Sequence, residues 1–229
     1  LAHELNQPLA AMLSNAQVGL RALRSGKVDP GEMDAILDDI VGDAKRAGGI
    51  VHGMRAMFQK NASMDLQEVD LNLAVRDVIH LLHGEIALRK AKLEFQSEGE
   101  SFLTAANRVE IQQVLVNLVL NSLDAITEKS GGGEGVDAGT ISIAVTRDAE
   151  TLVVTVQDDG PGIPDEVMAR LFEPFTSTKA GGLGLGLSIS RRIVEQYGGS
   201  LEAERKSELG GALFRLTLPR VGGEVGACQ

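Results

Sequence analysis

Apolar side chains recur at alternating steps of four and three along residues 1 to about 61. A break at Ser25-Gly26 and Asp29-Pro30-Gly31 divides them into two series. The first series is Leu5, Leu9, Met12, Ala16, Gly19 and Leu23, and the second is Met33, Leu37, Ile40, Ala44, Ala47, Val51, Met54 and Phe58. This heptad spacing predicts two helices in an antiparallel hairpin. Because one hairpin cannot cover its own apolar stripe, we expect two copies to form a homodimeric four-helix bundle.

From about residue 67 the pattern changes to short strands that alternate with helices. The predicted order is a strand near Glu68–Leu71, a helix over Leu73–Leu88, a strand near Lys92–Gln96, a helix over Arg108–Ile126, a hairpin within "TISIAVTRDAETLVVTVQDD", a helix over Leu183–Tyr197 and a closing hairpin of "SLEAERK" and "ALFRLTLP". Strands that pair as hairpins between helices predict a two-layer α+β sandwich. The predicted domains are residues 1–64 and 65–221, followed by a flexible tail over 222–229.

Composition narrows the class of protein. The 43% of hydrophobic residues among 229 is ordinary for a globular protein, and no apolar run approaches the length of a membrane span. Cys228 is the single cysteine, which excludes a disulfide framework and favours the cytoplasm for this stretch. A net charge of −10 argues against nucleic-acid binding. Because the chain begins at Leu1, we expect further sequence upstream, which leaves membrane attachment open.

The predicted helix "EIQQVLVNLVLNSLDAI" has two distinct faces. Its apolar face is Ile111, Val114, Leu115, Leu118 and Ile126, and its polar stripe is Glu110, Gln113, Asn117, Asn121 and Asp124. A solvated face would account for the stripe, but asparagine is a poor helix former. Two asparagine oxygens one turn apart indicate ligands for a hard cation, such as the Mg²⁺ of a bound nucleotide.

The segment "QDDGPGI" follows a predicted strand. A tight turn would explain Gly160 and Gly162 by themselves. Asp158, at the buried end of the strand, could also accept a hydrogen bond from the amino group of adenine. The segment therefore suits either a plain turn or an adenine pocket.

The segment "FEPFTSTKAGGLGLGLSIS" leads into a predicted helix. Its alternating residues are Gly182, Leu183, Gly184, Leu185, Gly186 and Leu187. Glycines let backbone amides approach a phosphate, and a helix N-terminus favours negative charge. The spacing matches neither a Rossmann fingerprint nor a Walker loop. Thr178 and Lys179 precede the glycines and could reach the terminal phosphate, with Gly181-Gly182 allowing lid movement.

The opening segment "HELNQPL" places Pro8 inside a predicted helix. Most surface histidines have no chemical role, and His3 could be one of them. Proline, however, removes a helical hydrogen bond and bends the axis, and the carbonyl that it frees is that of Glu4. A bend beside an exposed His3-Glu4 pair favours a site.

Together these segments resemble the bacterial histidine kinases of two-component signalling, over nearly the whole chain to about Arg220. "HELNQPL" resembles the H box, "NLVLNSLDA" the N box, "DDGPGI" the first G box, "FEPFTSTK" the F box, "GLGLGLSI" the second G box and "GGALF" the last G motif. The hairpin resembles the dimerisation and phosphotransfer domain. The α+β part resembles the Bergerat (GHKL) ATP-binding fold shared with DNA gyrase. The first segment is similar to the subgroup that often carries PAS sensor modules upstream.

The resemblance implies a role for each residue of the H box. His3 would attack the γ-phosphate of ATP through Nε2, and Glu4 would hold Nδ1–H as orienter or base. Gln7 occupies the place where related kinases position water to dephosphorylate a response regulator. Gln7 is longer than the threonine or asparagine often found there, which argues against phosphatase activity. The phosphoryl acceptor would be an aspartate in the receiver domain of a response regulator.

The resemblance also assigns the nucleotide site. Asn121 would bind Mg²⁺ with help from Asn117, and Asp158 would recognise adenine in a pocket shaped by Gly160 and Gly162. The phosphates would be held by Lys179 and by amides around Gly184 and Gly186. Asp124 is also placed among the nucleotide-binding residues, although an acid there is not consistent among members of the family. Asp159 departs from the family as well, because asparagine is common at its position.

Two other functions fit parts of the sequence. A gyrase-like or chaperone-like ATPase, or a serine kinase of the anti-sigma type, would share the ATP fold but lack the hairpin with its His-Glu pair. Such ATPases tend to carry a carboxylate one turn before the metal asparagine, where this chain has Asn117. A non-catalytic ATP-binding scaffold is the third reading. The presence together of His3, Asn121 and Asp158 argues against it.

Overall fold

The computed structural model describes residues 2–25, 29–58, 66–97, 102–129, 139–177 and 184–221. Within the first two helices, only the backbone of residues 2–7, 45–46 and 48–58 is described. The chain divides into two compact units, Leu1–Lys60 and Asn61–Gln229. This division falls four residues before the predicted domain boundary. The predicted tail, 222–229, lies outside the described residues.

The first unit is a helical hairpin, as predicted. Helix α1 spans Ala2–Ser25 and helix α2 spans Pro30–Phe58, and the two pack against each other. Gly19 faces α2, where an added Cβ would lie 3.5 Å from Ile36 Cγ2 and 3.6 Å from Met33 Sδ, at ordinary van der Waals distances. The helices are therefore in contact at this position without requiring a glycine.

The predicted apolar series is divided between the inside of the hairpin and its outer surface. Leu9, Leu23 and Leu37 belong to the series and are half exposed in the single chain, as expected of a stripe that one hairpin cannot cover. The side chains turned inward on α2 are Met33, Ile36, Ile40, Asp43 and Ala47, again at steps of three and four, and Met33, Ile40 and Ala47 are members of the predicted series. Each helix carries two neighbouring apolar stripes, and spacing alone does not tell which stripe faces the partner helix.

The second unit contains two sheets within the described part of the chain. Its elements are β1 Gln67–Asp70, α3 Leu71–Leu81, α4 His83–Leu88, β2 Lys92–Ser97, β3 Leu103–Ala106, α5 Arg108–Lys129, β4 Thr140–Arg147, β5 Thr151–Asp158, α6 Asp165–Met168, α7 Gly186–Gln196, β6 Ser200–Glu204 and β7 Leu213–Pro219. The main sheet has the order β2-β4-β5-β7-β6, and β1 pairs antiparallel with β3. Only the β2–β4 pair of the main sheet is parallel.

One face of the main sheet packs on helices, which confirms the two-layer α+β prediction. Burial alternates along β4, β5 and β7, so that every second side chain enters the core. The five predicted apolar residues of α5 are all buried, and α5 contacts β4, β5, α3 and α7. Fully burying one large aliphatic side chain contributes about 1.5–3 kcal/mol, so each of these buried residues stabilises the contact between the helix and the sheet.

Three local features differ from the predicted elements. The single helix expected over Leu73–Leu88 is two helices, α3 and α4, which meet at the buried Leu82. Helix α3 begins at Leu71, because the side chain of Asp70 accepts a hydrogen bond from the Asn72 amide at 2.9 Å and caps the helix. Strand β3 and the one-turn helix α6 were not predicted.

None of the helices described is long and apolar enough to cross a membrane.

Candidate functional site

Asp158, the last residue of β5, is the most constrained polar side chain of the second unit. It is 1% exposed, and its Oδ1 accepts hydrogen bonds from the amides of Gly160 at 2.9 Å and Ala212 at 3.1 Å. Burial raises the pKa of the Asp158 carboxyl, and the two amide hydrogen bonds lower it in part. A fixed, buried carboxylate of this kind is suited to recognise a single donor group on a ligand.

Glycines surround Asp158 because the backbone comes too close for side chains. A Cβ added to Gly211 would lie 2.1 Å from Asp158 Oδ1, and one added to Gly160 would lie 3.0 Å from the Cβ of Ala125 on α5. Gly162 has a φ of +79°, and its added Cβ would lie 2.6 Å from the Arg205 carbonyl oxygen. The strand end, α5 and the segment before β7 therefore pack closely around Asp158, with backbone rather than side chains next to it.

Ser122 lies beside Asp158 and was missed in the sequence. Its hydroxyl is fully buried, and its contact with Asp158 lowers the pKa of that carboxyl. The available signal was a small polar residue within the apolar face of α5.

The polar stripe of α5 is half buried along its full length, from Glu110 to Asp124. Near its middle, Asn117 Nδ2 donates a hydrogen bond to Ser190 Oγ on α7 at 3.0 Å. A Cβ added to Gly186, the first residue of α7, would lie 2.3 Å from Asn117 Oδ1. The N-terminus of α7, whose amides favour anions, therefore lies directly beside Asn117.

The segment before α7 is anchored at Gly184. This residue has a φ of +63°, and its added Cβ would lie 2.4 Å from the Thr176 carbonyl oxygen. The Phe175 amide donates to the Gly184 carbonyl oxygen at 3.0 Å. Thr176 Oγ1 is buried and without a hydrogen-bond partner in the described part of the chain. The predicted F box and second G box, which are neighbours in sequence, are therefore in direct contact at Thr176 and Gly184.

The remaining predicted residues of the glycine-rich segment divide into two groups. Leu185 is buried and packs in the core, and Leu187 is half buried beside it. The others, Thr178, Lys179, Gly182 and Leu183, lie outside the described residues.

The two ends of the site lie along α5. Asn117 meets Gly186 at one end, and Ala125 meets Gly160 at the other. Eight residues of α helix rise about 12 Å, a span that suits an extended nucleoside triphosphate. The buried carboxylate at one end and the helix N-terminus at the other match a base and a phosphate chain, respectively. The buried hydroxyl of Thr176, which has no hydrogen-bond partner among the described residues, adds a polar group for such a ligand, and the residues present therefore fit ATP.

Both acids of the α5 stripe have partners within the protein. Asp124 forms an ion pair with Arg89, and Glu110 accepts a hydrogen bond from the Tyr197 hydroxyl. Burial, followed by the contact with Glu110, raises the pKa of Tyr197 to about 12. Glu110 therefore holds the end of α7, and the nucleotide role given to Asp124 stays a prediction.

The predicted phosphotransfer residues lie in the first turns of α1. The helix begins at Ala2 and continues through Pro8, whose side chain is buried. The side chains of His3, Glu4 and Gln7 are outside the described part of the structure, and their roles stay predictions.

Comparison with known proteins places this arrangement in a family. The family described as histidine kinase-, DNA gyrase B- and HSP90-like ATPase matches residues 106–222. The chain belongs to this family. It carries the catalytic core of a two-component sensor histidine kinase.

Three relatives illustrate the match. The sensor protein FixL of Bradyrhizobium diazoefficiens is 38% identical over 96% of this chain, and the C4-dicarboxylate transport sensor protein DctS of Rhodobacter capsulatus is 35% identical over 96%. This chain spans only 42% and 32% of their lengths. The solved catalytic domain of histidine kinase ThkA is 34% identical, with a TM-score of 0.60 over 69% of this chain and 99% of that one. ThkA in complex with the response regulator protein TrrA is 26% identical, with a TM-score of 0.69 over 96% and 59%.

Proposed function

We propose that this chain is a protein histidine kinase that phosphorylates its own His3 from ATP and passes the phosphoryl group to an aspartate of a response regulator. The main support is that groups suited to bind a base and groups suited to bind phosphates lie along one helix, α5. There the buried Asp158 stands at one end, and the Asn117–Gly186 contact stands at the other.

The nucleotide would be held by groups at both ends of the site. The Asp158 carboxylate accepts from the adenine amino group, while Gly160 and Gly162 let the backbone close around the base. Asn121, with Asn117, supplies amide oxygens to Mg²⁺, which neutralises charge on the phosphates. The amides at the N-terminus of α7 face the phosphate chain, and Lys179 and Thr178 lie in the adjoining segment.

The transfer chemistry would take place at His3. A neutral imidazole is nucleophilic near pH 7, so Nε2 attacks the γ-phosphorus while the bond to the leaving ADP oxygen breaks. The Glu4 carboxylate accepts a hydrogen bond from Nδ1–H and stabilises the positive charge that develops on the ring. Pro8 has no amide hydrogen, which leaves the Glu4 carbonyl without its usual helical donor. In the second step, an aspartate oxygen attacks the phosphorus and the phosphorus–nitrogen bond breaks.

The hairpin would act as a homodimer. An exposed apolar stripe follows α1 through Leu9, Leu13, Leu20 and Leu23, and continues on α2 at Leu37 and Val41. These side chains are 45–61% exposed in the single chain. A second hairpin placed on this stripe would bury it and complete a four-helix bundle.

The proposed partner is the receiver domain of a response regulator. Support comes from the structure of ThkA with TrrA, which is similar to this chain over 96% of its length. The contact would lie near His3, because phosphorus must move directly from the imidazole to the aspartate.

Hydrolysis of ATP is the weaker alternative. An ATPase of this family type would need a carboxylate to activate water one turn before Asn121. Asn117 occupies that position, and its amide is engaged by Ser190. An amide is a poor general base, so transfer to a protein nucleophile is favoured over hydrolysis.

Radiolabel transfer tests the proposal. The chain is incubated with γ-labelled ATP and Mg²⁺, beside the His3→Gln variant. We expect acid-labile label on the native chain, no label on the variant and equal ATP binding by both. Label that survives acid, or that remains on His3→Gln, would overturn the proposed function.

A further inference from the structure

We propose that Arg89 is a charge-compensating residue of the nucleotide site, which neutralises Asp124 so that a polyanionic ligand can lie along the polar stripe of α5. The inference rests on the proposed function, because it assumes that this stripe faces ATP. Arg89 would be a positioning residue, acting on the nucleotide through Asp124.

The need for compensation follows from the position of Asp124. It lies three residues after Asn121 on the same face of α5, and side chains at this spacing have Cβ atoms about 5–6 Å apart. The Asp124 side chain is 35% exposed. A bare carboxylate here would repel phosphate oxygens held near Asn121, and partial burial would weaken the screening by water.

Arg89 comes to Asp124 from a different element. It is the residue that follows α4, and its guanidinium forms the ion pair with the Asp124 carboxylate. The same guanidinium lies 3.6 Å from Glu85, one turn back on α4, and the Arg89 side chain is only 26% exposed. A guanidinium has five N–H donors in a fixed plane, so it can serve both carboxylates.

The backbone holds Arg89 in this position. Lys90, the next residue, has a φ of +52°, in the left-handed region. The Lys90 amide donates to Ala87 O at 3.1 Å, and the Ala91 amide donates to Ile86 O at 3.0 Å. These two bonds form a Schellman motif that ends α4 at Arg89. The arginine is therefore presented by a closed helix end rather than by a free loop.

Two rival roles for the pair make different predictions. If the pair only ties α4 to α5, its loss lowers stability and affects every ligand equally. If Asp124 binds Mg²⁺ directly, Asp124→Asn weakens ATP binding in the presence of Mg²⁺. Charge compensation instead predicts an effect that grows with the negative charge of the ligand.

The test measures the affinities of adenosine, ADP and ATP by competition against a fluorescent ATP analogue, with Mg²⁺ and with EDTA. The variants of the whole chain are Arg89→Met, Arg89→Lys, Asp124→Asn and the Arg89→Met/Asp124→Asn pair. We expect Arg89→Met to weaken ATP binding about tenfold, ADP binding less and adenosine binding less than about twofold. Arg89→Lys and the double variant should both bind ATP within about threefold of the native chain.

Arg108→Met is the matched control. Arg108 also pairs with an aspartate, Asp77, but lies sixteen residues before Asp124 on α5, about 24 Å along the helix. It should leave all three affinities unchanged.

If the native chain binds ATP, any one of three results would overturn this inference and leave the proposed function standing. The first is that Arg89→Met loses the same affinity for adenosine, ADP and ATP, and the second is that the double variant does not recover affinity for ATP. The third is that Asp124→Asn binds ATP more weakly in the presence of Mg²⁺. A native chain that binds no ATP would overturn the proposed function as well.

Discussion

At the scale of single residues, Asp158 determines which base the site accepts. Replacing it with asparagine keeps an oxygen for the amides of Gly160 and Ala212, but puts an NH₂ donor where the second carboxylate oxygen was. Losing a charged hydrogen bond to adenine costs about 1.5–3 kcal/mol, so Asp158→Asn should bind ATP about tenfold to a hundredfold more weakly. Titration calorimetry with ATP and with inosine triphosphate measures this. The preference for ATP over inosine triphosphate should fall, and an unchanged preference would contradict the adenine role.

The raised pKa of Asp158 also predicts a dependence of stability on pH. Burial raises the pKa of this carboxyl, so the folded protein keeps the proton at pH values where the unfolded chain has lost it. The folded state is therefore progressively destabilised as pH rises from the ordinary carboxyl pKa through the raised one. The Asp158→Asn variant has no ionisable group at this position, so it escapes this loss of stability. Without ligand, the melting temperature of the variant should rise relative to that of the native chain as pH increases. A difference in melting temperature that does not change with pH would contradict the raised pKa of Asp158.

At the scale of elements, the site depends on how closely α7 approaches α5. Gly186→Ala would place a methyl group 2.3 Å from Asn117 Oδ1, so either the start of α7 or the Asn117 amide must shift, and both changes disturb the site. Such overpacking costs typically about 1–3 kcal/mol. We expect a lower melting temperature and weaker binding of ATP, measured by thermal unfolding and titration calorimetry.

Gly84→Ala is the matched control for this change. Gly84 is also a helical glycine, within α4, and an added Cβ there meets nothing within 4 Å. Alanine should stabilise that helix by up to about 1 kcal/mol, since it restricts the unfolded chain. If both substitutions behaved alike, the contact between Gly186 and Asn117 would have no special role.

At the scale of the whole molecule, the exposed stripe of the hairpin predicts the oligomeric state. Leu13 and Leu20 are more than half exposed on one side of α1, and a glutamate at each would place two charges in the dimer interface. We expect Leu13→Glu/Leu20→Glu to sediment as a monomer, while the native chain sediments as a dimer. Leu81→Glu changes a similarly exposed leucine on α3 and should leave the dimer intact. A native chain that is monomeric at micromolar concentration would refute the proposed bundle.

The sequence could predict what repeats along one element. The apolar face of α5, the hairpin and the hairpin-paired strands all follow from periodicity, and the folded protein confirms them. Contacts between distant segments could not be read in this way. The pairing of Arg89 with Asp124 joins residues 35 positions apart, and Gly211 reaches Asp158 only because β7 lies beside β5. Spacing also could not tell which apolar residues of the hairpin face the partner helix, because two apolar stripes share each helix.

A structure of the chain with a non-hydrolysable ATP analogue and Mg²⁺ tests the central claim most directly. The account predicts the adenine amino group on the Asp158 carboxylate, the metal at Asn121 and the phosphates between Asn117 and the first amides of α7. An analogue bound elsewhere, or one with its base at Gly186 and its phosphates at Asp158, would contradict it.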